Sequence, residues 1–293
     1  MLLPVSPLRS LPVPDVFVPG RAAVGEGPVV DGRTGELAWV DIPAGDLHRV
    51  PLSGSGHRTA RVGMSLGAVA VRDRGGYVAA VGDGLGLIDD TGTFALAEPM
   101  LPDPQRRMND AKCDTAGRFF AGSTTMDFRP GRGVLHCWEP DAGVRNVLHG
   151  LTLPNGLGWS PDDTTFYLVD TMEHVLLAAP YDKATGTLGE LRPLVSFGSE
   201  DGLPDGLCVD AEGHVWVAMW GAGQVRRYDP RGRAVAVVPM PVSKPSSCAF
   251  GPDGVLYITS AAEGISPDRE PLAGSVFALP TSHHGAAVGS FRG

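Results

Sequence analysis

A single spacing constrains this chain more than any other feature. Six times, a short apolar strand runs into a polar turn containing Asp or Gly, and a second strand with an aromatic or β-branched centre follows. The six stretches are GPVVDGRTGELAWVD, AVAVRDRGGYVAAV, AKCDTAGRFFAGS, LGWSPDDTTFYLVD, LCVDAEGHVWVAM and CAFGPDGVLYITS. Anchored on Trp39, Val78, Phe120, Tyr167, Trp216 and Tyr257, they recur at steps of 39, 42, 47, 49 and 41 residues. A period near that length suits a four-stranded propeller blade, and six such units span the chain. Turns such as DAEG and GPDG carry tight-hairpin chemistry. Further strand-like pieces, GQVRRYDP and GSVFALP among them, follow the hairpins. A β-sandwich would show shorter, less regular strand spacing and no self-similarity at this period. The expected fold is all-β: a six-bladed β-propeller forming one domain over residues 1–293, with its inner strands converging on a central channel.

Composition agrees where it bears on this reading. The chain has 40 Gly and 26 Pro, spread along its length as frequent turns. No long segment shows apolar residues at i, i+3, i+4 and i+7. A net charge of −9 argues against nucleic-acid binding, which needs a basic patch, and suits a cation. Cys113, Cys137, Cys208 and Cys248 form no CxxC pair, and the first, third and fourth lie in apolar strand-like runs as buried thiols do. The opening MLLPVSPLRSLPVPDVFVPG has no basic start and no long apolar stretch. It predicts neither a signal peptide nor a membrane span, hence a cytoplasmic protein.

Four loop segments place charged or amide residues beside Gly or Pro: GEGPVVD (25–31), RRMNDAKCD (106–114), LPNGLGWS (153–160) and LPDGLCVD (203–210). LPNGL and LPDGL put Asn155 and Asp205 at one position of the repeat, and GEGPV puts Glu26 in a matching place. Each alone is an ordinary turn sequence. Together they bring three oxygen-bearing side chains from three blades toward the axis, as a hard divalent cation requires. A carboxylate buried on the axis without a partner is costly, and a cation compensates for it. Arg107 and Asn109 lie in the second of these segments. Arg107 would clamp a substrate oxygen or carboxylate there, or pair at the surface with a nearby Asp.

Two hydrolase classes fit poorly. Gly63-Met64-Ser65-Leu66-Gly67 matches GxSxG, yet AVAVRDRGGYVAA after it reads as a hairpin, where a nucleophile elbow needs a helix. The eight His residues include neither HxH nor HExxH, and His283-His284 sits in a flexible-looking, solvated TSHHGAAVGS.

The chain resembles the senescence-marker-protein, gluconolactonase and luciferin-regenerating enzyme family, the regucalcin-like proteins, over nearly its whole length. GEGPV, WVDIPAGDLHRV, GGYVAAVGDG, RMNDAKCDTAGRFFAGS, NGLGWSPDDTTFYLVDT, PDGLCVDAEGHVWVAMWGAGQVRRYDP, PVSKPSSCAFG and AGSVFAL carry the likeness. It implies a six-bladed propeller with one divalent metal (Ca²⁺, Zn²⁺, Mg²⁺, Mn²⁺ or Fe²⁺) on Glu26, Asn155 and Asp205. It also implies substrate contacts from Arg107 and Asn109. An acidic residue that is Glu in regucalcin corresponds to Asp127, one methylene shorter, which leaves the identity of the sugar open. Val30 stands where the family usually has Trp, a change expected to affect packing. The closing SFRG resembles regucalcin's tail and predicts blade closure at the C-terminus. The implied activity is hydrolysis of a small-molecule lactone by water activated on the cation, with Asp205 as general base. A metal-dependent esterase or phosphotriesterase, or a non-catalytic metal-binding regulatory protein, is the alternative.

Overall fold

The computed structural model describes residues 8–293. The first seven residues, part of the N-terminal stretch read above as lacking a leader, lie outside it. Among the described residues there is no α-helix, and a three-residue 3-10 turn at Ser199–Asp201 is the sole helical element. Within the described residues, no helix is long and apolar enough to cross a membrane.

The strands form six sheets, the blades of a β-propeller, and their pairing is antiparallel except where Arg9–Ser10 runs parallel to Ala234–Pro239 at the edge of the fifth. Their inner strands are Gly25–Asp31, Leu66–Val71, Arg106–Cys113, Pro154–Trp159, Leu203–Val209 and Pro245–Phe250. Each neighbours the next around the ring, and the sixth returns to the first. Every anchor residue of the repeat falls in the second strand of its blade, from Trp39 in Glu36–Asp41 to Tyr257 in Val255–Ser260. Between inner and second strands, an Asp carboxylate ties the turn. Asp31 accepts the Arg33 amide at 2.9 Å, Asp114 that of Arg118 at 2.8 Å, and Asp210 that of His214 at 2.9 Å. Asp is favoured at such turns because its short side chain reaches its own backbone. Apolar faces pack between blades. Phe120, Trp159, Phe166 and Tyr181 form one such aromatic cluster between the third and fourth. Val30 packs partly buried against the Trp39 and Tyr257 cluster.

Ring closure differs from the expectation drawn from SFRG. The outer strand of the sixth blade comes from the N-terminal side: Asp15–Val18 pairs antiparallel with Val276–Pro280, Val16 opposite Phe277. An antiparallel strand added there satisfies an otherwise open sheet edge. The C-terminal segment goes elsewhere. Ala286 donates its amide to Val209 O at 2.9 Å, and Phe291 donates to Val71 O at 2.8 Å. The segment thereby crosses from the fifth blade to the second over the ends of the inner strands. TSHHGAAVGS is therefore part of the packed structure and not a loose tail. His283 keeps 13% of its side chain exposed and meets Trp216 edge-on, while His284 faces solvent. Phe291 is fully buried against Trp138 and Phe119, with ring centroids 4.7 and 6.4 Å away. Apolar burial decided this path, which the polar spelling of the segment concealed.

Candidate metal centre at the channel mouth

All six inner strands carry a β-bulge at the same level. Their register slips between Glu26 and Val29, Leu66 and Ala68, Met108 and Ala111, Pro154 and Leu157, Pro204 and Leu207, and Pro245 and Ser247. A bulge adds one residue to one strand and re-aims side chains there. Asn155 and Asp205 are each the first residue inside their bulge. Glu26 stands one place earlier, so the equivalence read from the sequence holds for two of the three. Asn109 occupies the bulge position matching Asn155 and Asp205.

The inner strands approach so closely here that glycine is required. A Cβ at Gly156 would lie 2.4 Å from the Leu207 nitrogen and 2.6 Å from the Asp205 carbonyl oxygen. Gly156→Ala must displace that backbone, and with it the carboxylate of Asp205. We expect the purified variant to take up a divalent ion more weakly than the wild type, as read by titration calorimetry.

Glu26, Asn155 and Asp205 meet in a buried cluster. The Asn155 amide nitrogen donates to Thr171 Oγ1 at 3.1 Å and to Asp205 Oδ1. No protein donor among the described residues reaches the Asn155 amide oxygen, which leaves it available as a ligand. Glu26 Oε2 accepts the Gly27 amide at 2.6 Å. Asp110, which the sequence reading passed over, completes the charge pattern. Burial, followed by the charges of Asp205 and Asp110, pushes the Glu26 carboxyl well above its ordinary range. Burial and Asp110 raise Asp205, against the opposing pull of Asn155 and Arg107. Burial also raises Asp110, and Lys112 counters it. Three buried carboxyls thus repel one another with two side-chain cations nearby, a state that a divalent ion relieves. The donor set of two carboxylates and one amide oxygen fits a hard cation.

Arg107 donates from Nη1 to Met108 O at 2.9 Å and to Asn109 Oδ1 at 2.6 Å. Among the described residues, its Nη2 and Nε find no protein acceptor. Burial lowers its affinity for the proton while Asp205 and Glu26 oppose that, and a guanidinium remains charged throughout. Asn109 Nδ2 donates to Pro154 O at 3.1 Å, which ties the third blade to the fourth. The structure therefore brings five of the six sequence-selected residues together. Asp127 stands apart. Its carboxylate is 55% exposed, accepts from Arg129 Nε at 2.7 Å, and is held below its usual range by Thr125 and then Arg129.

Behind the site lies a cavity of about 820 Å³, floored by the crossing C-terminal segment and lined by Asp110, Lys112, Cys208 and Cys248. All four cysteines are free and buried, and burial pushes the Cys137 thiol up to about 12. Asp210, Glu212 and His214 lie near one another at the far end of the channel. Asp210 is already committed to Trp216 Nε1 at 2.9 Å and to Arg227 Nε at 2.8 Å. With a guanidinium in place, that cluster is an ion-pair hub. Ser65 precedes a strand, with no helix after it, so the nucleophile elbow is absent.

Comparison with known proteins places this geometry. The model of the SMP-30/Gluconolactonase/LRE-like region matches residues 24–262. Regucalcin of Xenopus laevis is 35% identical over 269 residues, covering 87% of this chain and 90% of that protein. Human regucalcin is 33% identical over 278 residues, covering 90% and 93%. Among solved structures, a calcium-binding regucalcin from Agrobacterium tumefaciens superposes with a TM-score of 0.92 at 30% identity, over 97% of this chain and 99% of that one. A luciferin-regenerating enzyme gives 0.82 at 26% identity, over 94% and 95%. The bulged inner strands that gather Glu26, Asn155 and Asp205 thus sit on a fold and a sequence shared along the whole ring, and the chain belongs to the SMP-30/gluconolactonase/LRE-like family.

Proposed function

We propose that this protein is a divalent-metal-dependent hydrolase that opens a lactone ring, with a sugar lactone as the favoured substrate. The observation carrying this reading is the trio of buried, mutually repelling carboxyls beside a free amide oxygen at the channel mouth. A cation held by Glu26, Asn155 and Asp205 would supply Lewis-acid polarisation of the ester carbonyl and acidify a water beside it. Asp205 then serves as general base, taking the proton of the attacking water on a carboxylate oxygen. Arg107, through Nη2 and Nε, orients the ring oxygens, and Asn109 holds Arg107 in place. Asp127 would reach substrate hydroxyls after releasing Arg129, which makes it the outlying member of the set.

The test is a panel of aldonolactones, aryl esters and a phosphotriester offered to chelated protein, with Ca²⁺, Mg²⁺, Mn²⁺, Zn²⁺ or Fe²⁺ added back singly. Lactone turnover should vanish with chelator and return with metal. Undiminished turnover in chelator would sink the proposal. Metal uptake with no turnover of any ester would favour a calcium-binding role, the description carried by the Agrobacterium protein. Arg107→Ala should retain the metal and lose roughly 10- to 100-fold in kcat/KM, the worth of a charge-assisted hydrogen bond. Loss of metal from that variant would make Arg107 structural.

A further inference from the structure

We propose that His48 and His57 form a second cation site, for a first-row transition metal such as Zn²⁺, Ni²⁺ or Cu²⁺, on the outside of the first blade. His48 lies on the strand Asp46–Pro51, opposite Thr59 on the outer strand Arg58–Arg61, and His57 immediately precedes that outer strand. His48 Nδ1 is 3.1 Å from His57 Nε2 and 3.0 Å from Thr59 Oγ1. Two imidazole nitrogens on one tetrahedral Zn²⁺, at about 2.0–2.1 Å each, stand about 3.3 Å apart. The pair is thus spaced to share one ion with little movement.

Orientation is fixed in advance. Both rings stack on Trp39, each with centroids 5.1 Å from the indole and planes within 20° of it. Ordering two free side chains is a main cost of a surface metal site, and the indole has already met it. Burial lowers the proton affinity of both rings, so near neutral pH both offer lone pairs. In the absence of metal, the facing nitrogen of one ring donates to that of the other. For a cation to bind both, the donor ring takes its other neutral tautomer: the facing nitrogen gives up its proton and the far nitrogen of the same ring gains one from water, so both ligands remain neutral imidazoles.

The surroundings suit a cation. The two histidines, Asp41 and Asp46 line a cavity of about 220 Å³, at the seam where the first and sixth blades meet. Asp46 is held by Arg61 at 2.8 and 3.0 Å, and Asp41 accepts the amides of Ala23 and Val24 at 2.9 and 3.1 Å. These carboxylates are therefore neighbours of the ion and not its ligands, and Arg21 also borders the cavity. Water fills the open positions, with Thr59 Oγ1 placed to hold one. Nitrogen donors here and oxygen donors on the axis separate the two sites by softness. Zn²⁺, Ni²⁺ and Cu²⁺ favour the imidazoles, whereas Ca²⁺ and Mg²⁺ favour the carboxylates.

The site is tested by zinc titration in a calorimeter, using chelator-stripped full-length protein. The wild type, Asp205→Ala, His57→Ala and His48→Gln are compared in the presence of excess Ca²⁺. One equivalent of zinc should bind to the wild type and to Asp205→Ala, and its affinity should fall at least tenfold in each histidine variant. Cu²⁺ bound to Asp205→Ala should show nitrogen hyperfine structure in its electron paramagnetic resonance spectrum, lost on adding His57→Ala. Zinc uptake that ignores both histidine variants overturns the proposal, as does the absence of any uptake by Asp205→Ala. Unchanged thermal midpoints without metal show that the histidine variants fold. If His57→Ala fails that control, His57→Asn takes its place under the same criteria.

Discussion

Asp205→Asn is expected to lower lactone kcat/KM by about 100- to 10,000-fold, the usual worth of a general base, while making the metal-free protein more stable than the wild type. The variant keeps the side-chain shape and an oxygen to accept from Asn155, so packing is preserved. What it removes is one of three buried carboxylates that repel one another. The folded protein holds the Asp205 proton to a higher pH than the unfolded chain, whose carboxyl titrates near about 3.9. Between those two values the folded state binds more protons, so wild-type stability falls as pH rises through that window. The asparagine variant escapes this cost. Its advantage in chelator should be largest at pH 8 and should shrink toward zero as pH falls to the ordinary carboxyl range. Taking the difference between the two proteins cancels the histidines, several of which have lowered proton affinity in the fold. In saturating metal the order should reverse, because binding to the folded state stabilises the wild type more. Thermal midpoints at several pH values, with chelator and with metal, decide the matter. A variant less stable than the wild type in chelator at pH 8 would refute the three-carboxyl account.

Phe291→Ala should cost about 3–5 kcal/mol of stability, the range for emptying a large aromatic site. The ring sits 1% exposed between Trp138 and Phe119, and its own backbone is bonded to Val71 and Asp73. The loss is a large fraction of the roughly 5–15 kcal/mol that holds a domain together. It should appear as a drop of roughly 6–20 °C in thermal midpoint. Activity per folded molecule should be unchanged well below that midpoint, because the segment crosses the end of the channel opposite Glu26 and Asp205. Urea midpoints and initial rates together separate the two effects. A change under about 1 kcal/mol would mean that the C-terminal segment is not anchored by this ring.

These two variants lie at the two ends of what could be read in advance. Asp205 was legible as a member of the buried cluster because PDGL repeats PNGL, fifty residues earlier at the matching place in the preceding blade, and repetition makes an ordinary turn informative. Asp110 was not legible, although it follows Asn109 directly. Nothing local marks it, and its weight comes from Glu26 and Asp205, which reach it only when the ring closes. Glu26 was found, yet its place in the bulge is one residue from that of its partners, a register detail set by cross-strand pairing. Phe291 looked like part of a closing blade, because a lone aromatic in a mostly polar tail has no periodicity to say which surface it covers.

By itself, then, the sequence determined the blade: alternating apolar strands, Asp-tied turns and a period near forty residues are local properties, written into consecutive side chains. It also determined the chemistry of the candidate ligands, since oxygen donors beside Gly and Pro are a matter of residue type. The tertiary structure alone decided which carboxyls share a charge field, which strand closes the ring and where the C-terminal segment lies. Those depend on burial and on contacts between residues far apart in the chain, such as Val16 with Phe277 and Phe291 with Trp138. Electrostatic repulsion at the axis exists only after six blades have brought Glu26, Asp110 and Asp205 out of water together.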